Sequence, residues 1–201
     1  MAADSAFVAL YKYTKALSVA LGYRDLMTRL HSERVLALSK ALGTRCGLSG
    51  TELKILKLGA SFHDIGKIGI EDRILMKTTA LDADEWVKMR QHAVIGENIL
   101  LATGLEGSQQ AAQIIRHHHE HYDGKGYPDC LAGEDIPIYS RIISIADSYD
   151  AMAVTRSYHR PRKHSEIMET LHQETGIKHD PNLMSLFVEL IEDSELRAAE
   201  V

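Results

Sequence analysis

Apolar residues recur three and four positions apart along almost the whole chain, and no stretch alternates apolar and polar residues as a half-buried strand does. This spacing predicts helices, each with one apolar stripe. Only four of the 201 residues are proline, which suits long uninterrupted helices. A chain of this length can bury one sizeable core but is short for two. The sequence therefore predicts an all-α protein built as a single helical bundle.

Residues that favour helix starts divide this pattern into successive helices. The expected starts, in chain order, lie at Asp25, Ser49 or Thr51, Asp82 or Asp84, Ser108, Pro137, Ser165 and Asp180-Pro181. Between Asp82 and Leu101 we expect two separate helices, divided near His92. Residues 120–136 are expected to form a long irregular loop, and loops of that length are often functional.

Composition excludes several classes of protein. The net charge of -5 argues against a broad surface that tracks the phosphates of a nucleic-acid polymer. Cys46 and Cys130 form no CxxC pair and lie far apart, which is typical of reduced thiols in a cytoplasmic protein. No apolar run is long enough to span a bilayer, and the first residues lack a signal-peptide pattern. We therefore expect a cytoplasmic location, with no membrane or nucleic-acid partner.

Histidine and aspartate occur where the helical pattern predicts burial. His63 and Asp64 follow an apolar helix, and Asp147 stands inside an apolar stretch, where an unpaired carboxylate would be costly. A single His-Asp pair would more often be a surface cap, but His31, His92 and a run of histidines near residue 118 add to it. Imidazole and carboxylate ligands without thiolate suit Fe, Mn, Zn, Co or Ni.

Five motifs follow one another along residues 20–190. They read Asp25-x-x-Thr28-x-x-His31-x-x-Arg34, His63-Asp64-Ile65-Gly66-Lys67, His92-x-x-x-Gly96, His118-His119-Glu120-x-x-Asp123-Gly124-x-Gly126-Tyr127-Pro128, and Asp147-x-Tyr149-Asp150-Ala151-Met152 with Arg156-x-Tyr158. Together they resemble the HD-GYP family, a branch of the HD-domain metal-dependent phosphohydrolases. Two positions depart from that family, Ala93 where proline is usual and His159 where a basic residue is common. The resemblance implies an HD-domain helical bundle whose long loop carries Gly-Tyr-Pro.

The resemblance also implies two divalent metal ions, with Fe or Mn favoured and Zn, Ni or Co compatible. It assigns His31, His63, Asp64 and Asp147 to one ion, and Asp64, His92, His118 and His119 to the other, with Asp64 bridging. Part of the family binds a third ion through a glutamate four residues before the first histidine. Met27 stands at that position here, so we expect two ions. His117 and His121 have no ligand role in this register and are expected to be surface or structural residues.

The activity implied by the resemblance is hydrolysis of cyclic di-GMP to linear pGpG, to GMP, or to both. A metal-activated hydroxide would attack phosphorus at the binuclear site. Asp64 and Lys67 would be the catalytic residues. Substrate contacts would come from Lys67, Gly126, Tyr127 and Arg156. Each of these residues could instead have a role without substrate. Lys67 would then be a solvated surface lysine, Gly126 and Tyr127 part of a turn between helices, and Arg156 a surface arginine.

Two other functions remain open at this point. One is an HD phosphohydrolase that acts on another cyclic or non-cyclic nucleotide. The other is a non-catalytic module that binds a cyclic dinucleotide or a protein partner, such as a diguanylate cyclase or a sensory or receiver protein. A homodimer is also compatible with the resemblance. Residues 1–20 are expected to form an N-terminal helix or connector, and residues 21–201 the HD-GYP domain.

Overall fold

The fold is a bundle of helices in a computed structural model that describes residues 2–154 and 161–200, with side chains from residue 8 onward. The helices are α1 (Ala2–Arg24), α2 (Leu26–Arg45), α3 (Gly50–Phe62), α4 (Asp72–Leu75), α5 (Ala83–Ala102), α6 (Ser108–Arg116), α7 (Ile138–Ala153), α8 (His164–Glu174) and α9 (Pro181–Glu192). Short 3-10 helices span Ile65–Gly69 and Gly133–Asp135. The described residues contain no strand, only one isolated bridge between Thr175 and His179. The predicted all-α class is confirmed.

Several helices begin where their capping residues predict. The Asp25 carboxylate accepts hydrogen bonds from the backbone N–H groups at the start of α2. Ser49, rather than Thr51, caps α3 in a reciprocal arrangement with Glu52. Asp180 caps α9 and is followed by proline at the first helical position. These side chains satisfy N–H groups that a helix start otherwise leaves unpaired.

Two helix expectations are wrong. Residues 83–102 form one continuous helix, because the capping box between Asp82 and Glu85 starts it and no residue near His92 interrupts its hydrogen bonds. Helix α8 begins at His164 after Lys163 and is not capped by Ser165. The Glu166 carboxylate accepts the Lys163 N–H at 3.1 Å, so a residue inside the helix satisfies its start.

Buried apolar residues form two clusters. The larger one joins α2, α3 and α6 to α7, α8 and α9, with Leu42, Ile143 and Phe187 fully buried. The smaller one joins α1, α3, α5 and α6, and includes Leu10 and Leu100. Helix α1 therefore contributes to the core and continues past residue 20, while a domain boundary at that residue stays a prediction.

A backbone contact fixes the 3-10 helix Ile65–Gly69 against α5. A Cβ atom placed on Gly66 would lie 1.9 Å from the carbonyl oxygen of His92 and 2.5 Å from the nitrogen of Gly96. Only glycine permits this approach. The contact sets the distance between His63-Asp64, which precede the 3-10 helix, and His92 on α5.

Within residues 2–154 and 161–200, none of the helices combines the length and apolar character that a bilayer span requires. Cys46 and Cys130 are both free thiols.

Candidate metal centre

Five segments bring all seven predicted metal ligands into one cluster. Helix α2 supplies His31, the end of α3 supplies His63 and Asp64, and α5 supplies His92. The turn after α6 supplies His118 and His119, and α7 supplies Asp147. Ligand atoms of His31, His63 and Asp64 lie within 4.8 Å of one another, as do those of His92, His118 and His119. The structure thus contains two adjacent groups of donors.

Asp64 faces both groups with different oxygens. Its Oδ2 lies 3.5 Å from His63 Nε2 and 4.0 Å from His31 Nε2. Its Oδ1 lies 3.6 Å from His92 Nε2. The carboxylate is almost fully buried, with 3% of the residue exposed. A carboxylate in this orientation can bridge two cations, one on each oxygen.

Asp147 reaches the same two groups from the opposite helix. Its Oδ1 lies 2.9 Å from His31 Nε2, and its Oδ2 lies 4.0 Å from His119 Nδ1. Ile142, Ile143 and Ile145, earlier on α7, are fully buried in the core that α7 shares with α2. Asp147 is therefore held rigidly beside both histidines.

Three histidines are oriented so that Nε2 points into the cluster. In each, Nδ1–H donates to the carbonyl oxygen three residues earlier: His63 to Ala60 at 2.8 Å, His92 to Met89 at 2.8 Å and His118 to Ile115 at 2.6 Å. A carbonyl can only accept, so the proton sits on Nδ1 and the Nε2 lone pair is free. His63 Nε2 is buried and has no hydrogen-bond partner. An unpaired buried nitrogen aimed at carboxylates fits a divalent metal ligand.

His31 is oriented by Asp150, a role that sequence reasoning missed. Asp150 Oδ2 lies 2.6 Å from His31 Nδ1, and Arg34 donates to both oxygens of this carboxylate at 2.6 and 3.1 Å. Asp25 caps α2 by accepting from the backbone N–H groups of Met27 and Thr28. The available signal was spacing, since Asp150 stands three residues after Asp147 and shares its face of α7.

Charges in the cluster keep most donors in the form that binds metal. Burial opposes ionisation of Asp64, but Lys67 and the surrounding imidazoles hold its pKa well below the ordinary value. Burial and the neighbouring His63 and His92 lower the pKa of His118 to about 3. His31 is the exception. Burial lowers its pKa, but hydrogen bonds to Asp147 and Asp150 outweigh burial and raise it to about 9. His31 must therefore lose a proton before it can bind a cation through Nε2.

Lys67 lies beside the cluster and is not a solvated surface lysine. Its Nζ is 2.7 Å from Asp64 Oδ2, and 16% of its side chain is exposed. The 3-10 helix Ile65–Gly69 turns it back onto the carboxylate three residues earlier. This places one positive charge at the edge of the two donor groups.

Tyr127 stacks on the cluster from the irregular loop. Its ring centroid lies 4.9 Å from that of His119, with 28° between the planes. The guanidinium carbon of Arg90, on α5, lies 5.1 Å from the Tyr127 centroid. Burial and the carboxylates of Asp147 and Asp64 raise the pKa of the Tyr127 phenol, so its hydroxyl stays protonated. Sequence reasoning did not identify Arg90, because no motif links it to the loop.

Gly126 packs where a side chain would not fit. A Cβ there would lie 2.2 Å from His121 N and 2.5 Å from Glu120 Cα. The glycine thus lets the loop fold back against the segment that carries His118 and His119. Arg156, predicted as a substrate contact, lies outside the described residues.

His117 anchors the loop. It is buried, and its Nε2 lies 2.8 Å from Asp129 Oδ2. Arg116 donates to both Asp129 oxygens at 2.6 and 2.7 Å, while the Asp129 N–H donates to Glu120 Oε1 at 2.7 Å. His117, Glu120 and Asp129 form a third group of donors, but Arg116 already neutralises Asp129. His117 is thus a structural residue, one of the two roles expected for it.

Residues 15–183 match the family model described as HD domain. The cyclic di-GMP phosphodiesterase of Thermotoga maritima is 37% identical over 181 residues, covering 90% of this chain and 49% of that protein. The 3'3'-cGAMP-specific phosphodiesterase 2 of Vibrio cholerae is 39% identical over 173 residues, covering 86% of this chain and 33% of that protein. The chain therefore spans about half or less of the length of these curated relatives.

Solved structures agree with the helical fold. The crystal structure of the cyclic GMP-AMP specific phosphodiesterase V-cGAP3 from V. cholerae superposes with a TM-score of 0.71. It is 21% identical, and the match covers 93% of this chain and 50% of that one. At this identity the likeness shows the fold.

Proposed function

The chain belongs to the HD domain family, in its HD-GYP branch, and we propose that it is a metal-dependent phosphodiesterase that hydrolyses cyclic di-GMP to pGpG, to GMP, or to both. The observation that carries the proposal is the pair of donor groups joined by Asp64, whose two oxygens face His63 and His92. Adjacent binuclear sites are typical of enzymes that cleave phosphodiesters. The Thermotoga relative, named for this activity, supports the choice of substrate.

The ligand sets proposed for the ions follow the two groups. His31, His63, Asp64 and Asp147 would hold one ion, and Asp64, His92, His118 and His119 the other. The ligand chemistry suits Fe or Mn and is compatible with Zn, Ni or Co. Such ions, when bound, supply charge that stabilises a phosphodiester under attack and lowers the pKa of water. Met27, at the position of a third-ion glutamate, is half exposed and carries a thioether, which supports two ions.

The chain's own side chains would bind and orient the substrate around these ligands. Lys67 Nζ, on a flexible stem beside Asp64, would move to a phosphate oxygen when the substrate enters. The Tyr127 hydroxyl would donate a hydrogen bond to the ligand, and its ring would form one wall of the site. Asp150 would keep the His31 proton on Nδ1, leaving Nε2 for the ion.

A second substrate is favoured by one specific observation. The 39% identical relative from V. cholerae is named as specific for 3'3'-cGAMP, which differs from cyclic di-GMP in one base. Because the two compounds share the same phosphodiester chemistry, they must be compared directly as substrates. We also propose that a diguanylate cyclase or a receiver protein regulates this activity. The proposal further includes a homodimer and a cytoplasmic location.

The test is a substrate panel with metal-loaded protein. We expect cleavage of cyclic di-GMP or 3'3'-cGAMP, with products separated by chromatography. Asp64→Ala should abolish cleavage because it removes a ligand from both groups. Glu106→Ala, an exposed site after α5, is the matched control and should keep full turnover. Full metal occupancy without cleavage of either cyclic dinucleotide would overturn the proposal and favour a non-catalytic binding module.

A further inference from the structure

Arg90 is a positive charge beside the candidate centre that has no carboxylate partner among the described residues. It lies on α5 two residues before His92, and its side chain is exposed. Its contact in the structure is with the face of Tyr127, 5.1 Å from guanidinium carbon to ring centroid. Tyr127 in turn stacks on His119. Tyr127 therefore contacts both this guanidinium and a proposed metal ligand.

Other basic residues at the centre are already engaged. Lys67 contacts Asp64 at 2.7 Å, and Arg34 contacts Asp150 at 2.6 Å. Arg116, behind the loop, is paired with Glu97 and Asp129. Arg90 thus differs from these cations in being free to bind an anion that arrives from solvent.

The stacked arrangement suits recognition of a phosphate. A guanidinium over an aromatic face gains cation–π attraction while its N–H groups remain directed outward in its own plane. Those N–H groups can form two parallel hydrogen bonds with an anion. Tyr127 also limits the orientations of the Arg90 side chain, which reduces the entropy lost on binding.

The proposed substrate has a second anion that needs such a partner. A cyclic dinucleotide contains two phosphodiesters, and when one lies against the donor groups the other lies away from them. The proposed ligands that hold the first phosphate do not serve the second one. Removing this second phosphate from water against the protein without a cation partner would be costly.

We propose that Arg90 binds the phosphodiester of a cyclic dinucleotide that is not being cleaved, with Tyr127 holding the guanidinium in place. This inference rests on the proposed function for its ligand class. It makes Arg90 a substrate-binding residue that favours cyclic dinucleotides over compounds with a single phosphodiester.

The experiment compares two probes with metal-loaded protein. Binding is measured by titration calorimetry with a hydrolysis-resistant bis-phosphorothioate cyclic dinucleotide, and turnover with bis(p-nitrophenyl) phosphate, which has one phosphodiester. Arg90→Ala and Arg90→Gln should raise the Kd of the first probe roughly 10- to 100-fold, since a charge-assisted bidentate contact is lost. Arg90→Lys should fall between them and wild type. The control Lys88→Ala, on the same helix but paired with Glu71, should change neither readout.

If Arg90 only supported packing of the site, Arg90→Ala would impair both probes equally. If Arg90 instead contacts the second phosphate, turnover of the single phosphodiester should stay within about twofold of wild type in Arg90→Ala. The salt dependence of the cyclic dinucleotide Kd should become shallower in Arg90→Ala and be restored in Arg90→Lys. Equal losses with both probes, or an unchanged Kd, would overturn the inference.

Failure of the proposed function gives a distinct result. A wild-type protein that binds the cyclic probe but cleaves no cyclic dinucleotide overturns the phosphodiesterase proposal, while the Arg90 variants still decide the contact through Kd. A fully metal-loaded protein that does not bind the probe overturns both.

Discussion

Raising the pH of the metal-free protein from 6.5 to 9 should lower its free energy of unfolding by on the order of 3 kcal/mol, because of His31. This residue is buried between Asp147 and Asp150, 2.9 and 2.6 Å from its two ring nitrogens. Burial opposes the charged form, but the two carboxylates outweigh it and raise the pKa to about 9. The folded protein thus holds a proton that the unfolded chain releases near 6.5.

The direction in which stability changes with pH follows from which state binds the His31 proton. Below pH 6.5 both states carry the His31 proton, and the stabilisation is fully present. Between pH 6.5 and 9 only the folded state keeps the proton, so stability falls as pH rises and the loss is complete above the folded pKa. The difference between 6.5 and about 9, at roughly 1.4 kcal/mol per pKa unit, gives about 3 kcal/mol.

The assay is urea unfolding of chelator-treated protein at several pH values across this window. His31→Gln is the matched control and should remove most of the slope while leaving the background from other groups. Metal-loaded wild type should also lose the slope, since a bound His31 is already neutral. A metal-free wild type whose stability is flat from pH 6.5 to 9 would refute the assigned ion pairs.

Four further predictions concern the ligands and their supports. Asp150→Asn should weaken metal affinity about 10- to 100-fold in chelator competition because His31 loses the negative charge of its orienting carboxylate, whereas an equal loss in the helix-cap variant Asp25→Asn would contradict that role. His118→Ala should lower metal content measured by mass spectrometry to about one ion per chain; His117→Ala should keep about two, and the reverse pattern would show that the ligand register is wrong. His117→Ala should still lower the free energy of unfolding by about 1–3 kcal/mol, since it removes the imidazole that contacts Asp129, and unchanged stability in chemical unfolding would contradict the anchor. Gly66→Ala should cost at least about 3 kcal/mol in the same assay because its Cβ would meet the backbone of α5, while Gly50→Ala, with open space around it, should cost under about 1 kcal/mol.

The sequence predicted the fold class and the identity of the clustered residues because both depend on local pattern. Helical spacing and caps such as Asp25 and Asp180 act within a few residues, and the structure places them as expected. The motif residues His31, His63, His92 and Asp147 lie together in the structure, although their metal binding stays a prediction.

Other features depend on contacts between distant segments. The continuity of α5 through His92 reflects a strong capping box and backbone packing on Gly66, which apolar spacing does not reveal. Arg90 and Tyr127 are brought together only by the fold of the loop. Asp150 lies near His31 because α2 packs on α7, so its role was visible only as a spacing of three from Asp147.

Two donor groups joined by Asp64 are proposed to act as one catalytic centre. This joint action is tested most directly by measuring cyclic di-GMP turnover while divalent ion is added stepwise to metal-free protein. We predict little turnover up to one equivalent, a steep rise between one and two, and a plateau at two equivalents per chain. Full turnover with a single equivalent, or none at any occupancy, would contradict the claim.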